Sequence, residues 1–210
     1  MEVNVCNVKK IIRGNMVLDD ITYRFESGNV YGLVGRNGCG KTMLLRMITG
    51  LIKATDGEVY VDGKLIGKEL DFPPDLGVVI EKPKLIEHMT GYENLKIIAD
   101  IKKLMTDEDI KGWMEKFGLD SSLKQPVRKY SLGMKQKIGI IQAIMENPKI
   151  LVLDEPFNAL DVQSVELLRN IILELKEKGC LIIVTSHHED DINAVCNKIL
   201  YMNEGRLVLE

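Results

Sequence analysis

The sequence predicts an α/β fold, because apolar runs typical of buried strands alternate with helical stretches through most of its 210 residues. Three observations support this prediction. Two continuous aliphatic runs, at 149–155 and 180–186, have the composition of strands that are covered on both faces. A third apolar run, at 30–35, ends in glycine, as a buried strand does where it enters a tight turn.

The remaining strand signals come from hairpins. Residues 57–64 alternate apolar and polar side chains and contain the turn pair Asp62-Gly63. The C-terminal segment 198–210 carries strand-forming side chains on both sides of residues 203–205, where a chain reversal is expected. Both segments therefore predict antiparallel pairs.

A helical block interrupts this pattern between about Pro83 and Tyr130, where only helix and loop signals occur. One capping box, formed by Thr90 and Glu93, precedes apolar residues at helical spacing. A second, weaker box at 106–109 begins another helix, which we expect to end near Gly118.

Composition excludes several classes of protein. With 28 basic and 31 acidic residues the net charge is −3, which argues against a large nucleic-acid surface. No apolar run approaches the roughly 18 residues needed to cross a bilayer, and the first ten residues lack a signal-peptide pattern. The cysteines are far apart in sequence, which indicates reduced thiols rather than a disulfide framework or zinc site: Cys6, Cys39, Cys180 and Cys196. These observations predict a soluble protein facing the cytosol.

A phosphate-binding loop follows the first buried strand. Eight consecutive residues match the pattern G-x-x-x-x-G-K-[ST] without a mismatch: Gly35, Arg36, Asn37, Gly38, Cys39, Gly40, Lys41 and Thr42. Glycines let the backbone amides point at phosphate oxygens, and the helix that follows presents its positive end to the same anion. Lys41 is expected to reach the β- and γ-phosphates, and the Thr42 hydroxyl to hold Mg²⁺.

Two adjacent carboxylates follow the strand at 150–153. An acid at the carboxyl end of a buried parallel strand faces the crevice in which such sheets bind ligands. Asp154 is therefore predicted to belong to the Mg²⁺ shell, and Glu155 to orient or deprotonate an attacking water.

Between these two motifs stands the segment Tyr130-Ser131-Leu132-Gly133-Met134-Lys135-Gln136. It is similar to the LSGGQ-type signature of the nucleotide-binding subunit of ABC transporters, and the order of motifs resembles that family along the whole chain. Within the family, the chain looks most like the separate subunits of bacitracin- and lantibiotic-type export or immunity systems. The resemblance implies a P-loop NTPase (RecA-like) core at 1–82 and 138–210, with an N-terminal antiparallel β region. It also implies an inserted α-helical subdomain at 83–137.

Further site residues are implied by this resemblance. Ser131 and Gly133 match the signature positions that contact the γ-phosphate of ATP bound to the other subunit. His187 follows the strand at 180–185, as the switch histidine of the family does, and the resemblance implies that it hydrogen-bonds the γ-phosphate. Residues 158–161 resemble the D-loop of the family. Glu81 occupies the place of the usual Q-loop glutamine and is expected to ligate Mg²⁺ with Thr42 and Asp154.

The function that the resemblance implies is ATP binding and hydrolysis by the motor subunit of a transporter. Two copies would dimerise head-to-tail around two ATP, with Mg²⁺, and would drive a separate membrane permease. The branch resemblance implies export of a peptide antibiotic or another drug-like compound. The subunit would then lie on the inner face of the cell membrane, held there by its permease, and would bind no nucleic acid.

The sequence departs from the family pattern at several positions. Ile12 stands where the family usually offers an aromatic ring to adenine, so apolar packing would replace stacking. Leu132 and Met134 replace a glycine and a glutamine of the signature, which predicts weaker contacts across the dimer. Glu81 would add a negative charge near the phosphates and make the site more dependent on metal.

Alternative interpretations stay open. One alternative is an ABC ATPase that acts on DNA or ribosomes. Such proteins usually carry a long insertion, a tandem domain or a basic surface, and these 210 residues with a net charge of −3 show none of the three. A regulatory subunit that binds ATP and scarcely hydrolyses it would suit the altered signature, but not Glu155 and His187. A GTPase is not supported, because the sequence lacks an NKxD motif.

Two single residues also have alternative interpretations. Cys39 is either an oxidation-sensitive thiol or a tolerated small residue, and His188 is expected to be a surface residue rather than a metal ligand.

Overall fold

The computed structural model describes residues 1–208 and contains two sheets with helices around them. The chain begins with β1 (Glu2–Ile12), β2 (Asn15–Glu26), β3 (Val30–Val34), α1 (Lys41–Ile48), β4 (Asp56–Val61), β5 (Lys64–Leu65) and β6 (Leu76–Val79). It continues with α2 (Gly91–Lys102), α3 (Asp107–Lys116), a 3₁₀ turn (Val127–Lys129), α4 (Leu132–Ile144) and β7 (Ile150–Asp154). The last elements are α5 (Val162–Glu177), β8 (Leu181–Thr185), α6 (Glu189–Val195), β9 (Lys198–Asn203) and β10 (Arg206–Val208).

The larger sheet has six strands in the order β10-β9-β3-β8-β7-β6. All neighbours pair in parallel except β10, which runs antiparallel to β9. The smaller sheet, β2-β1-β4-β5, is antiparallel throughout. The predicted α/β class and the N-terminal antiparallel region are therefore both present.

Alternate residues of the central strands pack into two separate cores. Leu151, Leu153 and Ile182 face one cluster, which also contains side chains of the helices α2 to α5. Val152 and Ile183 face the other cluster, with α1 and the antiparallel sheet. Because both faces of the six-stranded sheet are covered, its central strands read as unbroken aliphatic runs.

Helix boundaries follow the local signals in the sequence. Both predicted capping boxes form, with the side chains of Thr90 and Thr106 accepting from the backbone amides of Glu93 and Asp109. All secondary structure between 83 and 130 is helical within the described chain, as predicted. The C-terminal hairpin turns at 204–205, and the last two residues assigned to it, 209–210, lie outside the described residues.

The division of the chain into 1–82, 83–137 and 138–210 remains a prediction. Its second boundary falls inside α4, which continues from Leu132 to Ile144 without a break. The sequence analysis also did not predict β6, a four-residue edge strand that contains Gly77. A Cβ atom at Gly77 would lie 2.0 Å from the carbonyl oxygen of Ala143, so the glycine allows α4 to pack directly on the sheet.

No helix within residues 1–208 combines the length and the apolar character needed to span a membrane.

Candidate functional site

The phosphate loop joins β3 to α1 in the tight conformation that its glycines permit. Gly38 and Gly40 have φ values of 81° and 107°, in the region that disfavours side chains. Lys41 is the first residue of α1, and its side chain is 7% exposed. Its Nζ donates to the carbonyl oxygens of Gly35 (2.7 Å) and Arg36 (3.2 Å). The lysine thus folds back over the loop and holds a positive charge beside it.

Asp154 ends β7 and connects three elements. Its Oδ2 accepts a hydrogen bond from Thr42 Oγ1 of α1, and its Oδ1 accepts one from Thr185 Oγ1 of β8, both at 2.7 Å. The carboxylate is 5% exposed, so these contacts replace most of its hydration. The structure therefore brings two predicted metal ligands, Thr42 and Asp154, into direct contact.

Glu155 follows in a left-handed conformation, with φ of 50°. Its backbone amide donates to Thr185 Oγ1 (2.8 Å), and its Oε2 lies 2.8 Å from His187 Nδ1. Glu155, predicted to act on water, and His187, the predicted switch histidine, are thus in contact with each other. Thr185 was missed by the sequence analysis, although its position at the polar end of an aliphatic run was a usable signal.

Glu81, the third predicted metal ligand, contacts neither Thr42 nor Asp154 but a different partner. Its Oε2 is 2.8 Å from Nη2 of Arg46, a residue of α1 that the sequence analysis did not single out. Among residues 1–208 no group of three histidine, cysteine or acidic side chains is arranged to hold a metal. The donor set nevertheless fits Mg²⁺, which commonly takes one or two protein ligands and completes its shell with substrate phosphates and water.

A cavity of about 560 Å³ is lined by five of the residues described above: Lys41, Thr42, Glu81, Asp154 and Glu155. Its walls come from the phosphate loop, the strand ends and the segment after β7, and include Val17, Lys82, Leu132, Gln136, Asn158 and Ala159. Val17, rather than Ile12, lines the cavity from the β1–β2 hairpin. The apolar residue that this hairpin contributes to the cavity therefore lies on β2, the strand opposite to that of Ile12.

The signature segment begins α4. Ser131 is the N-cap, and its Oγ accepts from the amide of Met134 at 3.2 Å. Leu132, the first residue of the helix, needs no conformation reserved for glycine. A Cβ atom at Gly133 would lie 2.6 Å from the carbonyl oxygen of Ala159, so α4 packs closely on the predicted D-loop.

Two polar contacts strengthen this packing. Gln136 Nε2 donates to the carbonyl oxygen of Pro156 at 3.2 Å. Lys137 Nζ lies 2.6 Å from Asp161 Oδ2, and this hydrogen bond, with others from Ser164, holds the pKa of the Asp161 carboxyl well below its usual range. The same carboxyl caps α5 by accepting from the amide of Ser164.

Two residues with competing interpretations have clear positions. The Cys39 side chain is 7% exposed and packs in the core beside the antiparallel sheet, which favours a tolerated small residue over an accessible thiol. His188 is the exposed N-cap of α6, with its ring centroid 4.0 Å from that of His187. Neither position resembles a metal site.

A comparison with known protein families matches residues 18–158 to the family described as ABC transporter. The chain belongs to the ABC transporter family. ATP-binding subunits of this family are ATPases, and this chain is accordingly an ATP-binding ATPase of a transporter. The resemblance stated from the sequence is confirmed.

Three curated relatives cover nearly all of this ABC subunit. The uncharacterized ABC transporter ATP-binding protein YybJ of Bacillus subtilis is 45% identical over 205 residues, which span 98% of this chain and 94% of that protein. The lantibiotic transport ATP-binding protein SrtF of Streptococcus pyogenes is 33% identical, with 97% and 88% covered. The bacitracin transport ATP-binding protein BcrA of Enterococcus faecalis is 35% identical, with 97% and 67% covered.

Solved structures share the fold. An ATP-binding subunit of an ABC transporter superimposes with a TM-score of 0.88 at 27% identity, covering 99% of this chain and 88% of that one. The dimeric bacterial ABC transporter cassette MJ0796 superimposes with a TM-score of 0.86 at 24% identity, covering 99% and 97%. The ABC subunit therefore has the P-loop NTPase fold that the sequence predicted.

Proposed function

We propose that this ATPase is the motor of an exporter: two copies close head-to-tail around two ATP and drive a separate permease that removes a peptide antibiotic or another drug-like compound. The catalytic part of this proposal is supported by the Thr185 hydroxyl, which hydrogen-bonds to the carboxylate of Asp154 and to the backbone amide of Glu155. It fixes a candidate metal ligand and a candidate base at one edge of the sheet, facing the phosphate loop.

In this mechanism Lys41 and the loop amides of 35–40 bind the phosphates. Thr42 and Asp154 would hold Mg²⁺, which when bound neutralises charge on the β- and γ-phosphates. Glu155 accepts the proton of the attacking water, and His187 keeps the Glu155 carboxylate in place beside the γ-phosphate. Ser131 and Gly133 of the partner subunit would complete the site, because a capped helix start with free amides binds anions.

The permease and the substrate are proposed from different observations. Ile101 and Leu104, at the end of α2, are 73% and 64% exposed, which supports a docking surface for permease helices on the helical block. Export of an antibiotic rests on SrtF and BcrA, whose names refer to lantibiotic and bacitracin transport. Docking there would hold the subunit at the inner face of the membrane.

The first experiment is light scattering of the Glu155→Gln variant with and without Mg-ATP. We expect the variant to bind ATP, to lose hydrolysis by at least about a hundredfold, and to change from 23.7 kDa to twice that mass only with Mg-ATP. A variant that binds ATP and remains a monomer would contradict the autonomous head-to-tail dimer.

A matched pair at Ser131 tests the arrangement of the dimer. Asparagine and aspartate both preserve the helix cap, so Ser131→Asn and Ser131→Asp should fold equally well. In the Glu155→Gln background, Ser131→Asp should retain ATP binding and lose dimerisation, because it opposes the γ-phosphate with a carboxylate. Dimerisation by both variants would exclude the signature from the interface.

A further inference from the structure

The ion pair between Arg46 and Glu81 is a feature that the catalytic scheme does not use. Arg46 Nη2 lies 2.8 Å from Glu81 Oε2. Glu81 also lines the cavity together with Thr42 and Asp154. The carboxylate expected at the metal is therefore held by a cation of the protein itself.

Arg46, the partner of Glu81, lies on the same helix as the predicted metal ligand Thr42. Arg46 follows Thr42 by four residues on α1, so both side chains project from one face of the helix, separated by about 6 Å along its axis. The hydroxyl of Thr42 is already bonded to Asp154. Glu81 is therefore paired with the same face of α1 that carries Thr42, in the same cavity, and would exchange Arg46 for the divalent cation that Thr42 and Asp154 would hold.

The ion pair is well suited to such an exchange. Its side chains are 33% and 56% exposed, and partly exposed pairs of this kind are weak and readily replaced. Glu81 has φ of 57°, a conformation that is uncommon in residues other than glycine and that its surroundings must maintain. A modest gain from metal ligation is enough to move the carboxylate.

Charge explains what the pair does before the metal arrives. A free carboxylate in the cavity would repel ATP phosphates, and pairing with Arg46 neutralises it. We propose that Arg46 is a positioning residue that holds Glu81 away from the metal until Mg-ATP binds, and so sets the Mg²⁺ concentration that tight nucleotide binding requires. This inference rests on the proposed function.

The test is a Mg²⁺ titration of mant-ATP binding to the full chain, which reads binding and not hydrolysis. Arg46→Gln should lower the Mg²⁺ concentration for half-maximal binding by about two- to fivefold, the range expected from losing a partly exposed ion pair. In the Glu81→Gln background the same change should have little effect, because no carboxylate remains to be released. Arg24→Gln, which removes an exposed ion pair to Glu2, is the matched control and should change nothing.

Other outcomes overturn the inference. Equal shifts in both backgrounds would show that Arg46 acts on the phosphates or the metal directly, and an unchanged Mg²⁺ requirement would show that the pair has no role in positioning. If Arg46→Gln does not fold, Arg46→Met keeps the aliphatic stem packed and gives the same readout. Failure of the unaltered chain to bind mant-ATP would instead overturn the proposed function, and this inference with it.

Discussion

At the scale of single residues, the Thr185 hydroxyl organises the proposed catalytic end of the site. It donates to the carboxylate of Asp154 and accepts from the backbone amide of Glu155, so one oxygen holds an acid side chain and the backbone of the next residue. Thr185 is fully buried at the end of β8, where a β-branched side chain has little rotational freedom. The Asp154 carboxylate and the backbone of Glu155 are therefore held before any nucleotide binds.

Gly133 offers a prediction at the same scale. Gly133→Ala should destabilise the protein by about 1–3 kcal/mol, because the added methyl group would overlap the carbonyl oxygen of Ala159. Gly112→Ala is the matched control: it lies within α3, and within residues 1–208 no atom outside its chain neighbours and the adjacent backbone of its own helix comes within 4 Å of its added Cβ. That substitution should stabilise the protein by about 0.5–1 kcal/mol.

Urea denaturation of both variants would measure these effects. Equal changes at Gly133 and Gly112 would mean that helix propensity alone is responsible. The close approach of α4 to the predicted D-loop would then have no energetic weight.

At the scale of elements, Arg169 connects α5 with the loop that carries His187. Its Nη2 donates to Asp191 Oδ1 at 2.8 Å, and Ser186 Oγ donates to the other oxygen of Asp191 at 3.3 Å. The amide of His188 in turn donates to Ser186 Oγ at 3.1 Å. The residues before and after His187 are thus connected, through Asp191, to the guanidinium of Arg169 on α5.

Asp191→Asn is expected to destabilise the protein by about 1.5–3 kcal/mol, because it weakens a charge-assisted hydrogen bond that is mostly buried. It should also slow ATP hydrolysis by the folded protein, since the loop at 186–188 loses its anchor. The control is Glu166→Gln, which removes the negative charge of the 60% exposed partner of the same guanidinium and should cost less than about 1 kcal/mol. Thermal unfolding and single-turnover hydrolysis would check both, and equal losses in the two variants would refute the anchoring role.

Some parts of the fold and site could be predicted from the sequence because their signals are local. The phosphate loop and the two capping boxes each depend on residues that are close together in the sequence. The contacts that were missed join distant segments: Thr185 to Asp154, Arg46 to Glu81, and Val17 to the cavity. β6 escaped prediction because four residues containing a glycine have no pattern that distinguishes them from a loop.

At the scale of the whole molecule, all the proposed catalytic groups lie where parallel strands of one sheet end. β3, β6, β7 and β8 lead into the phosphate loop, Glu81, Asp154 and His187 respectively. Two cores, one on each face, keep these strand ends in register. The site therefore depends on the integrity of the complete sheet, and global unfolding should abolish nucleotide binding.

The pH dependence of stability is a prediction for the whole chain. Hydrogen bonds from Lys137 to Asp161 and from Lys102 to Asp75 lower the pKa of each carboxyl in the folded state. Groups with a lowered folded pKa stabilise the protein above their ordinary pKa of about 4, and this stability is lost as pH falls through the folded value. The contribution of these two carboxyls to the free energy of unfolding should therefore be nearly constant above about pH 5. Below about pH 4 it should decrease as they become protonated.

Urea titrations between pH 7 and pH 3 would measure this slope. Asp161→Asn keeps the cap on α5 but cannot titrate, so its slope should be shallower by less than about 1.4 kcal/mol per pH unit, the value for one proton. A slope identical to that of the unaltered chain would show that Asp161 does not contribute to acid sensitivity.

The uninterrupted course of α4 has a mechanical consequence. Its thirteen residues form a rod about 20 Å long, seated on Gly77 of β6 near one end and carrying Ser131 at the other. A tilt of about 10° at the seat would swing the far end through roughly 3 Å, by the length of the rod alone. Gln136 and Lys137 bind the segment 156–161, so that segment would move together with α4. An approaching second subunit would then contact the helix and the segment as one rigid unit.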